Sequence, residues 1–312
     1  MRIFTHADCQ RHIVPAGFPE CPRRWEVLDR ALSGGPWDVE RETDGEVDRR
    51  LVEGVHEAVY LERFAAAVRR GDAILDTPDN PISAGSWEAA WAAAGVALRA
   101  AEWVAAGGGR RAFAMVRPPG HHAERDSAMG FCYLNNIAIA AHLLVDRLGV
   151  ERLAIVDFDV HHGNGTQHTF EDRAEVLFAS LHQYPFYPGT GAARERGVGA
   201  GVGATLNVPL PAGTGEEAYF AAFEEQVRPA VEAHRPQVLL ASAGFDAWKR
   251  DPLGGLRLGV DAFRRLGREL ASLADRLCDG RLLSVLEGGY DLEALPGLVT
   301  AFLEAQADAD LS

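Results

Sequence analysis

The sequence predicts an α/β protein with a mainly parallel central sheet and helices on both of its faces. Two observations support this fold class. Short apolar runs rich in β-branched residues alternate with longer Ala/Leu-rich segments of helical periodicity, which is the pattern of strand–helix–strand crossover units. Polar clusters also follow several of the apolar runs, at the strand ends where parallel sheets bind ligands. We expect a single domain over residues 1–312, since no Pro/Ser-rich linker or charge block divides the chain.

Six apolar runs are predicted to be strands: Ala112–Val116, Leu153–Phe158, Val176–Leu181, Thr205–Val208, Val238–Ala243 and Leu282–Leu286. Five segments around and between them are predicted to be helices: Trp87–Ala106, Leu134–Leu148, Glu216–His234, Val260–Leu277 and Leu292–Ala305. The glycine-rich stretch 189–203 fits neither the dinucleotide nor the P-loop pattern, so we expect a surface connection there. The first 80 residues are rich in Pro, Asp and Arg, and we expect them to form loops along the rim of a site.

Composition limits the function classes. The net charge of −14 argues against binding to nucleic-acid backbones and is compatible with a cationic substrate such as an amine or a lysine-bearing peptide. The four cysteines show no CxxC spacing and are expected to be reduced. The N-terminal residues lack a signal-peptide pattern, and no apolar run is long enough to cross a bilayer. These observations predict a cytoplasmic protein without a membrane partner, and they leave a homo-oligomer open.

The most informative stretch is 157–166, which reads Asp-Phe-Asp-Val-His-His-Gly-Asn-Gly-Thr. A buried strand is predicted to end there in carboxylates and imidazoles, which are costly to bury without a metal or a hydrogen-bonded partner. Because side chains alternate along a strand, Asp157, Asp159 and His161 are expected to point the same way. From this pattern alone, one strand end supplies two or three metal ligands.

Four further regions bring polar groups to predicted strand ends: Arg117–Ala123 with Gly130–Cys132, Ser180–His182, Ser242–Asp246 and Glu287–Tyr290. Each alone has an ordinary structural explanation, such as a helix-capping aspartate, a core histidine or a Gly-Gly turn. Together with the first stretch they place about eight ionisable groups at one edge of one sheet. That concentration favours a functional site.

Four motifs in these regions are shared with a known family. They are Arg-Pro-Pro-Gly-His-His-Ala, Asp-x-Asp-x-His-His-Gly-Asn-Gly-Thr, Ser-Ala-Gly-Phe-Asp and Glu-Gly-Gly-Tyr. The chain thereby resembles the zinc-dependent histone deacetylase superfamily, which includes bacterial acetylpolyamine amidohydrolases and has the arginase-type fold. The resemblance runs in the expected order from about Pro19 to Leu298. Asn164, where class I members carry aspartate, and the Ser-Ala-Gly-Phe-Asp form are similar to class II and its bacterial relatives.

The resemblance implies a deacetylase that uses one zinc ion per chain. Asp159, His161 and Asp246 are the implied ligands. Two carboxylates and one imidazole leave a fourth position open for water or substrate, as a catalytic zinc requires. Asp157 is then implied to pair with His121 instead of binding the metal.

The resemblance also implies the roles of the reacting groups. Tyr290 would donate a hydrogen bond to the substrate carbonyl oxygen as negative charge develops on it. His122 would be the general base toward the attacking water and then the general acid toward the departing amine. It is expected to pair with Asn164, while His121 with Asp157 forms a neighbouring electrostatic partner. Because Asn164 is neutral, the His122 imidazolium should be less favoured than beside an aspartate.

Further positions are implied around the substrate. Phe131 and Tyr187, or Phe186 in its place, are expected to flank a narrow tunnel, although the family usually has phenylalanine where Tyr187 lies. Asp79 is either a rim carboxylate or part of an Asx-turn before Pro81. The remaining predicted substrate contacts are Gly130, Leu253 and Gly288.

Two supporting features are implied as well. Arg24 matches an arginine beside an internal pocket below the metal, and an exposed surface arginine is the alternative. A structural potassium ion is expected at a monovalent-cation site formed by the backbone carbonyls of Asp157, Asp159 and His161 together with Ser180 and Leu181.

The substrate stays open between acetyl-lysine-like compounds and acetylpolyamines. Leu253 stands where a polyamine-selective relative carries glutamate, which favours acetyl-lysine-like or broad substrates. Two other classes compete with a deacetylase: a binuclear arginase-type ureohydrolase, and a non-catalytic module that binds acetylated amines. The first would need a further aspartate where His162-Gly163 stands. The second would have lost His122, Tyr290 or a zinc ligand, and all of these residues are present.

Overall fold

The computed structural model describes residues 1–41 and 47–308. Within these ranges eight strands form one sheet: β1 (Arg2–Thr5), β2 (Asp38–Arg41), β3 (Arg111–Ala114), β4 (Leu153–Asp157), β5 (Val176–Gln183), β6 (Thr205–Leu210), β7 (Val238–Ala243) and β8 (Leu282–Leu286). Their order across the sheet is β2-β1-β3-β8-β7-β4-β5-β6, and every neighbouring pair is parallel. All carboxyl ends therefore lie along the same edge of the sheet.

Ten α-helices lie in the described ranges: α1 (Pro22–Ser33), α2 (Arg49–Glu53), α3 (Ala58–Arg70), α4 (Ser86–Ala105), α5 (Asn136–His142), α6 (Asn164–Phe170), α7 (Glu216–Ala222), α8 (Arg228–His234), α9 (Val260–Leu277) and α10 (Leu295–Asp308). Shorter segments are two π-helical turns at Leu143–Arg147 and Phe223–Val227, and two 3₁₀ helices at Ala7–Gln10 and Gly199–Gly201. The second π-helical turn precedes Pro229, which has no N–H to donate to the carbonyl of Glu225. The continuous helix predicted there is therefore interrupted.

The five central strands are buried along their whole length. Every residue of β3, β4, β5, β7 and β8 is buried, and most of them are Leu, Val, Ala, Ile or Phe. A parallel strand of this kind must be covered on both faces. Helix α4 packs its alanine-rich surface against β1, β3 and β8, and α9 contacts β7 and β8. The predicted α/β class with a parallel sheet covered by helices is confirmed.

The predicted elements agree with the structure most closely in the core. β7, β8 and α9 have the predicted bounds, and the other four predicted strands differ by at most two residues at either end. Helix α5 begins at Asn136, because the Asn135 side chain caps it by accepting from the Ala138 N–H at 3.1 Å. Helix α10 begins at Leu295, because the Asp291 carboxylate closes a turn just before it.

The expectation of loops over the first 80 residues is wrong in part. β1 and β2 extend the sheet there, and α1, α2 and α3 also lie within these residues. β1 is only four residues long, too short for a readable alternation, yet Ile3 and Phe4 are buried beside β3. β2 reads Asp-Val-Glu-Arg, a polar composition that suits its place at the sheet edge. Because it is an edge strand, no apolar run marks it.

Three buried histidines are held in their neutral form. Burial lowers the pKa of His12, His56 and His182 to about 4. The contacts of His56 require a neutral ring: Nδ1 lies 2.8 Å from the Glu124 carbonyl oxygen, and Nε2 accepts from the Asn135 N–H at 2.8 Å. A second proton on Nε2 would face that donor, so protonation is opposed by geometry as well as by burial.

We expect these histidines to make the protein less stable in acid. Between pH 6.5 and about 4 the unfolded chain binds protons that the folded rings do not, so each ring removes about 1.4 kcal/mol of unfolding free energy per pH unit. Urea unfolding from neutral pH down to about pH 5, with chelator present so that no metal contributes, measures the slope. His56→Gln keeps one donor and one acceptor and should reduce that slope by about 1.4 kcal/mol per pH unit. Equal slopes for both proteins would contradict the assignment of His56.

Candidate metal centre and substrate cavity

Three metal-ligating side chains converge beyond the ends of β4 and β7. Asp159, His161 and Asp246 place their ligand atoms within 4.8 Å of one another. His161 Nδ1 lies 3.1 Å from Asp159 Oδ1 and 3.2 Å from Asp246 Oδ2, and both carboxylates are fully buried. Backbone N–H groups orient them: Gly288 donates to Asp159 Oδ2 and Val160 donates to Asp246 Oδ1, each at 2.9 Å. We call Asp159, His161 and Asp246 the trio.

The charges and shape of the trio fit a metal cation. Burial and the Asp159 carboxylate raise the pKa of Asp246 to about 7, because two negative charges share a dry site that a divalent cation would compensate. A Cβ on Gly288 would lie 2.1 Å from Asp246 Oδ2 and 2.6 Å from Asp159 Oδ2, so only glycine leaves these oxygens room. Two carboxylate oxygens and one imidazole nitrogen are a donor set for a catalytic zinc with an open fourth position.

Asp157 pairs with a histidine outside the trio. Its Oδ2 lies 3.0 Å from His121 Nδ1, and its Oδ1 accepts from the Asp159 N–H at 3.1 Å. Burial disfavours a charged His121, but the carboxylates of Asp157 and Asp159 outweigh it and raise the pKa of His121 to about 10. The expectation of up to three ligands from one strand end is therefore too high. β4 ends at Asp157, so strand alternation no longer decides where the following side chains point.

His122 is held through one ring nitrogen. Its Nδ1 lies 2.7 Å from Asn164 Oδ1, so the predicted contact between the two residues is present. Burial, with the neighbouring imidazoles of His121 and His161, lowers the pKa of His122 well below its usual value. The ring therefore stays neutral, which a proton acceptor must be before it acts.

Tyr290 follows β8 and faces the same region. Its backbone N–H donates to Asp251 Oδ2 at 2.7 Å, and its ring meets Phe131 edge-on with 5.8 Å between ring centres. Burial raises the pKa of the Tyr290 hydroxyl well above its usual value. The hydroxyl therefore keeps its proton and is available as a hydrogen-bond donor.

Arg24 packs against the Tyr290 ring, with 4.9 Å between the guanidinium carbon and the ring centre. Only 1% of its surface is exposed, so the alternative of a surface arginine is wrong. The guanidinium donates to the backbone carbonyls of Glu287 at 2.6 Å and Gly289 at 2.8 Å, and Glu20 pairs with it at 3.2 Å. Arg24 thereby fixes the backbone of the loop that carries Tyr290.

A cavity of about 300 Å³ reaches His122, His161 and Tyr290. Its lining consists of Asp79, His122, Gly130, Phe131, His161, Phe186, Tyr187, Leu253 and Tyr290. Both aromatic alternatives of the sequence line it: Phe186 stacks on the His161 ring at 5.3 Å, and Tyr187 meets the His122 ring edge-on at 5.2 Å. Gly288 is the one predicted substrate contact that does not belong to this lining. Its N–H donates to the Asp159 carboxylate instead.

Asp79 joins two sides of the cavity mouth. Its Oδ2 accepts from the Gly130 N–H at 3.1 Å and from the Tyr187 hydroxyl at 3.0 Å. Both contacts are to residues that line the cavity, which favours the rim carboxylate over the Asx-turn, and binding of substrate by Asp79 stays a prediction. Tyr187 is partly exposed, and its hydroxyl is paired with Asp79 in an exposed hydrogen bond, so we place this polar group at the cavity mouth. A Cβ on Gly130 would lie 2.4 Å from His122 Cδ2, so a glycine is needed for this close approach.

The predicted potassium ligands lie on two neighbouring strands and in the segment that follows β4. Asp157 at the end of β4 is in register with Ser180 of β5, and Leu181 follows directly. Asp159 and His161 continue from Asp157 along the same edge of the sheet. Binding of potassium by these groups stays a prediction.

Residues 18–306 match the histone deacetylase domain family. The chain belongs to this family. The deacetylase is 41% identical to a probable deacetylase of Archaeoglobus fulgidus, over 99% of this chain and 87% of that protein. It is 45% identical to a histone deacetylase-like amidohydrolase of Pseudomonas aeruginosa, over 80% of this chain and 66% of that protein. The crystal structure of an acetylpolyamine aminohydrolase from Burkholderia pseudomallei is similar, with a TM-score of 0.88, 32% identity and 99% of both chains covered.

Family membership confirms the arginase/deacetylase-type fold and makes the chain a hydrolase that acts on amide bonds. The family is zinc-dependent, and within the described ranges the trio is a group of side chains that could hold a metal ion. The contacts of His162 give no support to the binuclear ureohydrolase alternative: its ring nitrogens lie 2.8 Å from Thr190 Oγ1 and 2.9 Å from Gln167 Oε1. No helix in 1–41 or 47–308 is long and apolar enough to span a membrane.

The sequence patterns of the deacetylase do not reveal the contacts by which four acidic residues hold the groups of the site in place. Glu20 holds Arg24, Asp251 holds the Tyr290 backbone, Glu287 Oε2 accepts from the N–H groups of Gly120 and His121, and Glu124 contacts Asn164. Glu287 is the first residue of the Glu-Gly-Gly-Tyr motif, and Glu124 directly follows the Arg117–Ala123 motif, so the sequence offers a signal for these two residues. Glu20 and Asp251 lie outside the motifs. Their contacts with the site can be identified only in the folded chain, where distant segments lie side by side.

Proposed function

We propose that this deacetylase removes acetyl or short acyl groups from acetyl-lysine-like amines, using one zinc ion held by Asp159, His161 and Asp246. The observation that carries the proposal is that His161 of the trio, His122 and Tyr290 all line one cavity of about 300 Å³. A largely apolar cavity with a few converging polar groups suits an alkyl chain that ends in an amide.

His122 is the proposed proton carrier. Bound zinc would supply Lewis-acid polarisation of the substrate carbonyl and a water molecule whose pKa is lowered to about 7. His122 accepts a proton from the attacking water and then donates it to the departing amine nitrogen. Its neutral ring and its Nδ1 contact with Asn164 prepare Nε2 for the first transfer. The His121 ring, charged through its pairing with Asp157, lies 4.0 Å away between ring centres and favours negative charge developing nearby.

Tyr290 is the proposed donor to the substrate carbonyl oxygen. Its hydroxyl keeps its proton, and Arg24 and Asp251 hold the backbone on which it stands. A donor that is already in place costs no reorganisation when charge develops on the oxygen.

The cavity mouth favours an acetyl-lysine-like substrate. Leu253 is uncharged and cannot pair with a distant ammonium group of a polyamine. Acetylpolyamines are the second candidate, supported by the net charge of −14 and by the structural likeness to an acetylpolyamine aminohydrolase. Asp79 is the one carboxylate among the residues lining the cavity, and it already accepts two hydrogen bonds.

We also propose three features at the level of the whole protein. The first is a structural potassium ion bound by Asp157, Asp159, His161, Ser180 and Leu181. The second is a single catalytic domain over residues 1–312, which the single sheet supports. The third is a cytoplasmic location, which the expected reduced cysteines support. Acylated amines are the proposed substrates there.

Substrate profiling tests the proposal. Acetyl-lysine peptides, N-acetylputrescine and lysines with longer acyl groups are compared as substrates of the zinc-loaded protein. We expect the acetyl-lysine peptide to react fastest, a chelator to abolish turnover and added zinc to restore it. Leu253→Glu is the matched variant and should raise kcat/KM for N-acetylputrescine about tenfold, since a carboxylate would meet its ammonium group. Faster reaction of N-acetylputrescine with the unaltered protein would select the polyamine alternative, and no turnover with any metal would favour a binding module.

A further inference from the structure

The carboxylate of Glu124 contacts the amide nitrogen of Asn164, whereas the amide oxygen of Asn164 faces the His122 ring. Asn164 Nδ2 donates to Glu124 Oε1 at 2.5 Å, while Asn164 Oδ1 lies 2.7 Å from His122 Nδ1. His168 Nδ1 lies 2.9 Å and 3.0 Å from the two Glu124 oxygens. A continuous hydrogen-bonded chain therefore runs from His122 through Asn164 and Glu124 to His168, whose side chain is partly exposed.

This chain determines which end of the Asn164 amide faces His122. The three hydrogen-bond contacts of Nδ2 are all to acceptors: Glu124 Oε1, the His122 carbonyl oxygen at 3.2 Å and the Met129 sulfur at 3.5 Å. The NH₂ group must therefore occupy that end, and the amide oxygen faces the imidazole. An oxygen in this position accepts only from a protonated Nδ1, which leaves Nε2 of His122 without a proton.

An asparagine needs such support more than an aspartate does. The two oxygens of a carboxylate are equivalent, so an aspartate at position 164 would accept from Nδ1–H in either orientation. The asparagine amide has different ends, and a flipped amide would stabilise the opposite tautomer of His122, with its proton on Nε2. That tautomer cannot accept a proton from water at Nε2. Glu124 supplies the strongest acceptor that separates the two orientations, because it is a carboxylate.

We infer that Glu124 is a positioning residue, which acts through Asn164 to keep His122 in its proton-accepting tautomer. The inference rests on the proposed function, since the tautomer matters to turnover only if His122 is the general base. His168 anchors Glu124 by contacting both of its oxygens. Pairing with Glu124 raises the pKa of His168, so a charged anchor is favoured.

Two substitutions distinguish the role of Glu124 as a hydrogen-bond acceptor from the role of its negative charge. Both are assayed in the zinc-loaded protein with an acetyl-lysine peptide. Glu124→Ala removes the acceptor and should lower kcat about tenfold with KM unchanged, which is part of the factor that a general base contributes. Glu124→Gln keeps an amide oxygen for Asn164 Nδ2 and should retain kcat within about twofold. An unchanged kcat for Glu124→Ala, or equal losses for both variants, would overturn the inference.

Glu171 offers a matched control. It lines the same surface depression as Glu124, and no described hydrogen bond joins it to Asn164. Glu171→Gln removes a carboxylate there and should leave kcat unchanged. A loss as large as that of Glu124→Ala would show a general effect of surface charge and would overturn the inference.

Glu124→Ala should have a different effect in a protein that also carries Asn164→Asp. In this background two carboxylates adjoin and repel each other, and the aspartate holds His122 without an amide to orient. Glu124→Ala should then leave kcat unchanged or raise it. A tenfold loss in both backgrounds would show that Glu124 does not act through position 164.

Nitrogen-15 NMR of labelled histidines in the metal-free protein reports the tautomer without catalysis. We expect the unaltered protein to carry the His122 proton on Nδ1, and Glu124→Ala to shift part of the population to Nε2. If these spectra are found but the zinc-loaded protein hydrolyses no acylated amine, the proposed function fails and the positioning by Glu124 stands. If the protein is active and Glu124→Ala does not change the tautomer populations of His122, the positioning inference alone is refuted.

Discussion

Replacing Tyr290 with phenylalanine should lower kcat on an acetyl-lysine peptide by about two to three orders of magnitude. The hydroxyl is the proposed donor to the carbonyl oxygen, and its benefit grows as charge develops on that oxygen. KM should change little, because the ring that lines the cavity stays in place. The unfolding free energy should also change little, since Arg24 and Asp251 contact the ring and the backbone of Tyr290.

Tyr187→Phe is the matched control for Tyr290→Phe. Both tyrosines line the cavity, but the Tyr187 hydroxyl is already paired with Asp79 at the mouth. Its removal should reduce kcat by less than about tenfold, as expected for loss of a peripheral hydrogen bond. Steady-state kinetics and urea unfolding of both variants make the comparison. Unchanged turnover in Tyr290→Phe, or an equal loss in both variants, would remove Tyr290 from the mechanism.

The parts of the fold that the sequence predicts well are those in which local pattern and burial agree. β7 and β8 are apolar runs that the sheet buries on both faces, so their bounds follow from composition alone. α9 is likewise amphipathic along its whole length, and its predicted bounds are correct. β1 and β2 are missed, because a four-residue strand and a polar edge strand carry little pattern.

The candidate site likewise has parts that the sequence predicts and parts that it does not. The trio and the pairs of His121 and His122 stand in motifs whose order and chemistry can be recognised in the sequence. Contacts between distant segments cannot be read in this way: Arg24 reaches the Glu287 carbonyl across 263 residues, which only the folded chain reveals. Strand alternation likewise misplaces Asp157, because regular backbone ends at that residue. A side chain beyond the last strand residue is directed by its hydrogen bonds and no longer by the pleat.

Replacing Asp246 with alanine should abolish zinc retention and with it turnover. The variant keeps only Asp159 and His161 as protein ligands, and two ligands cannot complete a catalytic zinc site of three. Zinc content after loading and gel filtration, measured by elemental analysis, should fall from about one ion per chain to less than about one tenth. A variant that retains stoichiometric zinc would refute the ligand assignment.

The stability of Asp246→Ala should distinguish loss of metal from loss of fold. Without metal, the Val160 N–H loses its acceptor at a cost of about 1–3 kcal/mol, and removal of a buried carboxylate beside Asp159 offsets part of that cost. Urea unfolding in chelator should therefore differ little between the two proteins. Zinc at a thousand times its Kd should stabilise the unaltered protein by about 4 kcal/mol and the variant hardly at all. Asp246→Asn keeps the acceptor for Val160 without the charge, so similar zinc stabilisation of this variant and the unaltered protein would show that the charge of Asp246 is not needed for binding.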